Sequence, residues 1–182
     1  RYRRSLPLRI LSSGERLGYA PSLERLLREA VSKAPYPKRD AIVTLQGDFT
    51  ENPEDIVPLV KTLEGGADVV AGTFEGSGPH VPLPLRMTRW AAPRILGSSL
   101  ENCPASDPLT GYRVYRIIVV KKALRDLGDA PLIRYPGWTA NVELLALAAH
   151  HARRVEEVPL EMRYDIRTRK TRFRGFATLR DL

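Results

Sequence analysis

The carboxylate of Asp48 stands between an apolar run and a helix start, a position suited to ligand binding. Residues 41–45 have the length and the Ile and Val content of a buried strand. Asn52 and Pro53 then fit the N-cap and the first position of a helix. Asp48 is therefore predicted just past the carboxyl end of a strand, where ligands bind in open α/β sheets. There a carboxylate can hold Mg²⁺ or Mn²⁺ against a diphosphate, although Asp is also an ordinary turn residue.

Cationic side chains are concentrated towards the C-terminal end. The chain has 29 Lys and Arg against 21 Asp and Glu, which gives a formal net charge of +8. Six of the cations lie within residues 163–174, called the basic tail below, where Asp165 is the only acid. Such a cluster favours phosphate esters, anionic lipid headgroups or nucleic acid, although many charged segments are simply solvated.

Length and composition are those of a single globular domain. The 182 residues suffice for a substantial core, and 43% hydrophobic with 27% charged residues is ordinary for this class. The single cysteine, Cys103, excludes an intramolecular disulfide framework and a thiol cluster for structural zinc. One cysteine also agrees with a reducing cytoplasm, which is the location we expect.

Short apolar runs alternate with segments of helical spacing. The predicted strands are residues 6–11, 41–45, 67–72, 111–115 and 155–162, and Pro159 makes the last an edge strand or the end of one. The predicted helices are residues 21–31, 53–63, 87–96, 118–127 and 142–149, with a loop at 73–84. In the second helix the inner side is expected to carry Ile56, Val57, Leu59 and Val60. The order predicts an α/β domain with a mostly parallel sheet and helices on both faces.

Five short motifs follow one another along the chain: QGD with PEDI, GADVV, DPLTGYR, EVP and RTRKTR. In type and order they resemble motifs of family 2 glycosyltransferases. Residues 46–56, which include QGD and PEDI, resemble the acidic turn and Pro-Glu-Asp helix start of that family. Residues 66–70 (GADVV) and 107–113 (DPLTGYR) match its next strand and its Asp-x-x-Ser/Thr-Gly-Phe/Tyr-Arg motif. Residues 157–159 (EVP) and 167–172 (RTRKTR) resemble its Glu-Val-Pro strand and its basic Arg-x-Gly-x-Ser-Lys segment. The chain is most similar in these motifs to dolichol-phosphate mannose and polyprenyl-phosphate glucose synthases.

The resemblance runs from about residue 6 to about residue 174 and implies a fold and an activity. The implied fold is Rossmann-like, the nucleotide-diphospho-sugar transferase fold of glycosyltransferase A type, as one catalytic domain over residues 1–182. The implied reaction moves a sugar from a GDP- or UDP-sugar to an acceptor, with a polyprenyl (dolichyl) phosphate expected. The family begins with a strand and an Asn-Glu loop that bind the nucleotide base. The sequence shows no counterpart, so we expect an N-terminally incomplete domain.

The resemblance also implies roles for individual residues. Asp48 is expected to bind Mg²⁺ or Mn²⁺ and the donor diphosphate, because charge builds on the leaving diphosphate in the transition state. Gln46 stands beside it where the family usually has Asp, which predicts weaker metal binding. Asp107 is expected near the acceptor as a base or orienting group, with a turn residue as the plain alternative. The expected ligands of the acceptor phosphate are Arg86, Arg89, Arg113, Arg167, Lys170, Thr171 and Arg172.

Two further interpretations stay open at this point. In one, Gln46 marks lost metal chemistry, and the chain is a catalytically degenerate relative that acts as a binding module. In the other, the charge serves a nucleic acid. The second is disfavoured because the cations cluster at one tail, without the aromatic-bearing strands of an RNA-binding sheet, so we expect no nucleic-acid partner. The basic tail would allow weak peripheral attachment to an anionic membrane surface, at the inner face of a membrane.

Overall fold

The computed structural model describes residues 8–48, 50–74, 81, 83–97, 106–161 and 163, and structural statements refer to these residues. Its helices are α1 (Tyr19–Lys33), α2 (Ile56–Glu64), α3 (Leu83–Leu96), α4 (Ile117–Leu127) and α5 (Thr139–His151). Its strands are β1 (Ala41–Thr44), β2 (Val69–Phe74), β3 (Arg113–Arg116) and β4 (Val155–Leu160). A 3₁₀ turn, Pro53–Asp55, leads into α2. The alternation of strands and helices predicted from the sequence is therefore present.

The four strands form a mixed sheet in the order β1-β3-β2-β4. β3 runs antiparallel to both of its neighbours, whereas β4 runs parallel to β2. Three strands thus share one direction, but only one of the three pairings is parallel, so the mostly parallel sheet predicted above needs correction. The reason is that the connection from β2 to β3, which includes α3, returns the chain at the end of the sheet where it left. The hydrophobic periodicity of the sequence does not indicate such a reversal of strand direction.

Neighbouring residues on each strand pack on opposite faces of the sheet. Val69 and Tyr115 pack with α1, α4 and α5, whereas Val70 and Val114 pack with α2. This alternation follows from the two-residue period of a β-strand. Helices therefore cover both faces, as predicted. A Cβ atom at Gly72 would lie 2.5 Å from Leu160 Cδ1 and 3.0 Å from Tyr112 O, so a larger residue here would force the neighbouring atoms to shift.

The remaining differences from the predicted elements are local. Residues 8–11 form no strand. β1 is partly exposed rather than buried, because within the described residues it pairs with β3 alone. Val57 is 56% exposed instead of lying on the inner side of α2, since the buried positions of that helix are Leu59 and Leu63. β4 lies at the end of the strand order, as Pro159 predicted.

Asp68 of the GADVV motif ties three segments of the fold together. Its carboxylate accepts hydrogen bonds from Arg153 N at 3.0 Å, from Arg153 Nε at 2.9 Å and from Arg116 Nε at 3.2 Å. The bonds from Arg153 are the main cause that lowers the pKa of Asp68. Arg116 also donates to the carbonyl oxygens of Leu63 and Ala67. The motif is therefore structural at this position.

Within the described part of the chain, no helix has both the length and the hydropathy that a membrane span requires.

Candidate functional site

Several of the candidate residues meet at one edge of the sheet. β1 and β2 both run against β3, which lies between them, and β4 runs with β2. The carboxyl ends of β1, β2 and β4 therefore lie at the same edge as the start of β3, and this edge is called the site edge below. Loops at the carboxyl ends of strands are the usual ligand-binding position in α/β sheets. The site edge is thus the place where a ligand is expected.

The turn that follows β1, residues 46–51, is closed by two carboxylates and is called the donor turn below. Glu51 Oε2 accepts a hydrogen bond from Gln46 N at 2.6 Å. Asp48 Oδ1 accepts bonds from Thr50 Oγ1 at 2.6 Å and from Thr50 N at 3.2 Å. At the tip, no heavy atom of the described residues beyond the adjoining ones lies within 4 Å of a Cβ atom built on Gly47, so this part of the structure leaves the backbone open to an approaching ligand.

The base of the donor turn is attached to its surroundings. Tyr112 Oη donates to Asn52 O at 2.7 Å, and Arg163 N donates to Thr50 O at 2.9 Å. Asn52 Oδ1 accepts from Glu54 N at 3.3 Å, which confirms the predicted N-cap. The base of the turn is therefore held between the loop before β3 and Arg163, which follows β4.

The DPLTGYR segment forms a buried loop that leads into β3. Asp107 is 5% exposed, and its Oδ1 accepts from Leu109 N at 3.2 Å. Arg113 is 0% exposed and donates through Nη2 to Pro108 O at 2.6 Å and through Nη1 to Asn141 O. The Asn141 side chain donates in turn to Leu109 O at 3.0 Å. Arg113 and Asn141 thus fasten this loop to α5.

Arg89 of α3 lies beside Asp107 at the mouth of a cavity. Its Nε is 3.1 Å from Asp107 Oδ2, an ion-pair distance without hydrogen-bond alignment, and its guanidinium lies 5.2 Å from the Phe74 ring centre. Thr73, Trp90 and Ser106 complete the lining of this open cavity, which has a volume of about 370 Å³. The cavity offers one guanidinium, one carboxylate and aromatic surface to a ligand.

The buried Glu51, Asp107 and Arg113 and the partly buried Arg89 form a group of ionisable side chains, called the charged quartet below. The guanidiniums of Arg89 and Arg113 act electrostatically on both carboxyls. Some of its buried atoms, Glu51 Oε1, Arg89 Nη2 and Arg113 Nε, make no hydrogen bond within the described residues. Buried polar atoms in this state are costly, and they commonly mark functional sites.

The burial of the quartet changes how its carboxyls titrate. Burial is the main cause that raises the pKa of Glu51 to about 7; the charge of Asp48 also raises this pKa, whereas the Gln46 amide and the two guanidiniums lower it. Burial likewise raises the pKa of Asp107, while Arg89 and Arg113 lower it. Perturbed carboxyls that lie near a cleft are candidates for functional groups.

The pKa of Glu51 leads to a test by protein stability. Because its folded-state pKa of about 7 exceeds the ordinary value of 4.5, its stabilising contribution is complete below pH 4.5 and is lost as the pH rises through 7. We expect Glu51→Gln, which stays neutral, to gain about 3 kcal/mol of unfolding free energy relative to the wild type between acidic and mildly alkaline pH. Urea unfolding across that range measures the difference. The exposed Glu54→Gln is the control, and parallel curves for wild type and Glu51→Gln would contradict the expectation.

The other candidate residues fall into four groups. Gln46 and Asp48 lie together in the donor turn, and both side chains are half-buried. Arg86 is exposed on α3. Arg113 was predicted to bind the acceptor phosphate, but its guanidinium is fully buried against backbone carbonyls and here positions a loop. Four predicted ligands lie outside the described residues, namely Arg167, Lys170, Thr171 and Arg172.

Sequence patterns did not indicate three residues that shape the site. Glu51 is one of several acids in a polar stretch and differs from Glu54 only by its tertiary burial. Tyr19 donates through Oη to Asn141 Oδ1 at 2.7 Å, across 122 positions of sequence. The EVP motif was recognised, but not the contact of Glu157, which accepts a hydrogen bond from Ser106 N beside Asp107.

Metal binding at Asp48 was predicted. The side chains near Asp48 that could serve as metal ligands decide what kind of metal site the structure can form. Among the residues that the structure describes, no group of three or more His, Cys, Asp or Glu side chains can hold a metal ion. Mg²⁺ commonly uses one or two carboxylates together with substrate phosphates. Asp48 therefore fits an ion that is shared with a bound diphosphate, since the described residues do not form a protein-only site around it.

Restoring a second carboxylate tests this geometry. We expect Gln46→Asp to tighten Mn²⁺ binding in the presence of UDP or GDP by roughly tenfold, because charged oxygen ligands raise the affinity for hard cations. Calorimetric titration of Mn²⁺ measures the change, and Gln46→Asn provides a neutral control of the same size. Equal affinity in all three proteins would mean that the side chain at position 46 does not face the ion.

The fold has a counterpart among solved structures. No protein-family model matches this chain, and no curated protein matches it in sequence. The chain has the α/β fold of glycosyltransferase A type, which confirms the predicted fold class. One similar structure is glucosyl-3-phosphoglycerate synthase from Mycobacterium tuberculosis, solved in complex with phosphoglyceric acid. The two share 20% identity with a TM-score of 0.51, over 92% of this chain and 55% of that one.

Proposed function

We propose that this chain is a catalytic domain of a family 2 glycosyltransferase. Its reaction would move a sugar from a GDP- or UDP-sugar to an acceptor that carries a phosphate. The observation that carries the proposal is the meeting of the donor turn, with Asp48, and the Arg89–Asp107 cavity at one edge of the sheet. The order of the five sequence motifs supports it independently.

The donor turn is suited to a diphosphate. Asp48 and the open backbone at Gly47 are proposed to bind the donor at the carboxyl end of β1. An Mg²⁺ or Mn²⁺ ion held by Asp48 and the donor would offset the charge that builds on the leaving diphosphate. Because interactions with that developing charge are stronger in the transition state than in the substrate, they accelerate transfer.

The cavity beside Asp107 is proposed to bind the acceptor. Arg89 supplies a cation at the cavity, and Arg86 adds an exposed cation on the same helix. A phosphate is the chemistry common to the polyprenyl phosphate implied by the motifs and the phosphoglyceric acid bound by the similar structure. Arg167, Lys170, Thr171 and Arg172 are proposed to add contacts to that phosphate.

Asp107 is proposed to act on the acceptor. Burial favours its protonated form, so the ionised carboxylate is a stronger base than an exposed one. An acceptor hydroxyl would require a base of this kind, whereas a lipid phosphate is already anionic and would require orientation instead. For a lipid acceptor, the proposed location is the cytoplasmic face of a membrane, with peripheral attachment.

Gln46 favours one alternative function. Because a neutral amide is a weaker ligand for a hard cation than a carboxylate, the chain would on this alternative bind nucleotide-sugars without transferring them. Such a binding module would show affinity for the donor and no product.

Calorimetric titration of UDP and GDP, with and without Mn²⁺, tests the proposed function on the longest natural form of the protein. The expected result is binding that Mn²⁺ strengthens, with a preference for one base. Absence of nucleotide binding under both conditions would overturn the proposal. Metal-independent binding without turnover would favour the binding module.

A further inference from the structure

Glu51 is the most deeply buried acid at the site edge, and the reaction proposed above leaves it without a role. Its side chain is 0% exposed, although it stands in a turn between the half-buried Asp48 and Asn52. Loop acids normally face water, because a buried carboxyl loses its hydration unless it gains partners. The contacts of Glu51 therefore indicate which part of the structure its buried carboxyl holds in place.

One oxygen of Glu51 closes the donor turn. Oε2 accepts from Gln46 N at 2.6 Å, which joins the first residue of the turn to the last. Between these two residues, Asp48 Oδ1 accepts hydrogen bonds from the backbone N and the hydroxyl Oγ1 of Thr50. The hydrogen bond that Glu51 accepts from Gln46 therefore sets the width of the turn that contains Asp48.

The other oxygen of Glu51 is buried among the charges of the quartet. Oε1 makes no hydrogen bond within the described residues, and the charges of Arg89 and Arg113 act on the same carboxyl. Arg89 is in turn the ion-pair partner of Asp107 at the acceptor cavity. Glu51 thus belongs to the donor turn and is linked electrostatically, through Arg89, to the cavity.

We propose that Glu51 is a positioning residue that holds the donor turn in the conformation in which Asp48 meets the donor diphosphate. This role rests on the proposed function, because it assumes that the turn binds a nucleotide diphosphate. It acts through the Gln46 amide and needs no contact with substrate. A residue that only stabilised the fold would change the amount of folded protein, but not the affinity of the folded protein for nucleotide.

Three substitutions separate a positioning role from a general one. Glu51→Gln keeps an oxygen that can accept a hydrogen bond from Gln46 N. Glu51→Asp keeps the charge, but its side chain is one methylene too short to reach that amide. Glu51→Ala removes both the accepting oxygen and the charge. We expect Glu51→Asp and Glu51→Ala to raise the Kd for UDP or GDP about tenfold, and Glu51→Gln to stay within about threefold of the wild type. In the transfer assay the KM for the nucleotide-sugar should follow the same order. Glu54→Ala, an exposed neighbour, is the matched control.

Hydrogen exchange at the Gln46 amide provides a measurement that needs no ligand. Slow exchange in the wild type and in Glu51→Gln, with fast exchange in the other two variants, is the expected result. Nucleotide affinity unchanged in a folded Glu51→Ala or Glu51→Asp protein would overturn the positioning role alone. A wild type that binds no nucleotide would overturn the proposed function, and the positioning role with it. If Glu51→Ala does not fold, Glu51→Asp and Glu51→Gln still decide the matter.

Discussion

Replacing Asp48 with alanine is expected to abolish sugar transfer while the fold remains in place. Removal of one preorganised group that stabilises developing charge typically costs about 10²–10³-fold in kcat, and Asp48 is the carboxylate proposed to hold a metal at the diphosphate. Its hydrogen bonds to Thr50 stay within the donor turn and support no core element. The measurement is the initial rate of product formation at saturating donor, with circular dichroism as the check on folding.

Two variants make this prediction specific. Asp48→Asn keeps the size and one accepting oxygen but removes the charge, so it should lose nearly as much activity as Asp48→Ala. Asp129→Ala removes an exposed carboxylate in the turn after α4 and should behave as the wild type. Normal turnover in folded Asp48→Ala would show that the diphosphate is bound elsewhere.

Replacing Arg113 with methionine is expected to lower the unfolding free energy more than any other substitution described. The substitution leaves the carbonyl oxygens of Pro108 and Asn141 without their buried donor and removes a cation that acts on Asp107. Breaking a buried charge arrangement in this way costs about 3–5 kcal/mol, which corresponds to a fall in Tm on the order of 10 °C for a domain of this size. Chemical and thermal unfolding measure it directly.

The matched control for Arg113 lies on α3. Arg86→Met makes the same change at an exposed position and should alter the unfolding free energy by less than about 0.5 kcal/mol. Equal stability of Arg113→Met and the wild type would contradict the structural role of this arginine. The loss should also be smaller at low pH, because protonated Asp107 no longer needs a cation beside it.

Local chemistry predicted the parts of the site that depend on neighbouring residues. Asn52 and Pro53 specify a helix start through their own side chains, and the structure has the Asn52 cap there. The position of Asp48 after β1 follows from the same local pattern. Such features need no knowledge of distant contacts, which is why sequence alone indicated them.

Tertiary placement accounts for what the sequence did not indicate. The direction of β3 depends on the course of the chain around α3, and the hydrophobic pattern of a strand is the same in either direction. Glu51 and Glu54 are alike in sequence terms, but only Glu51 is carried inwards by the turn. Arg113 was recognised by its motif, whereas its burial results from the packing of the loop against α5.

Transfer of a labelled sugar tests the central claim most directly. The longest natural form of the protein is incubated with labelled GDP-mannose or UDP-glucose, Mg²⁺ or Mn²⁺, and either a polyprenyl phosphate or phosphoglycerate. The expected result is label on one of the phosphorylated acceptors, dependent on Asp48, with release of the nucleoside diphosphate. Intact donors and unlabelled acceptors in every combination, from a protein that binds nucleotide, would contradict glycosyl transfer and leave a binding module.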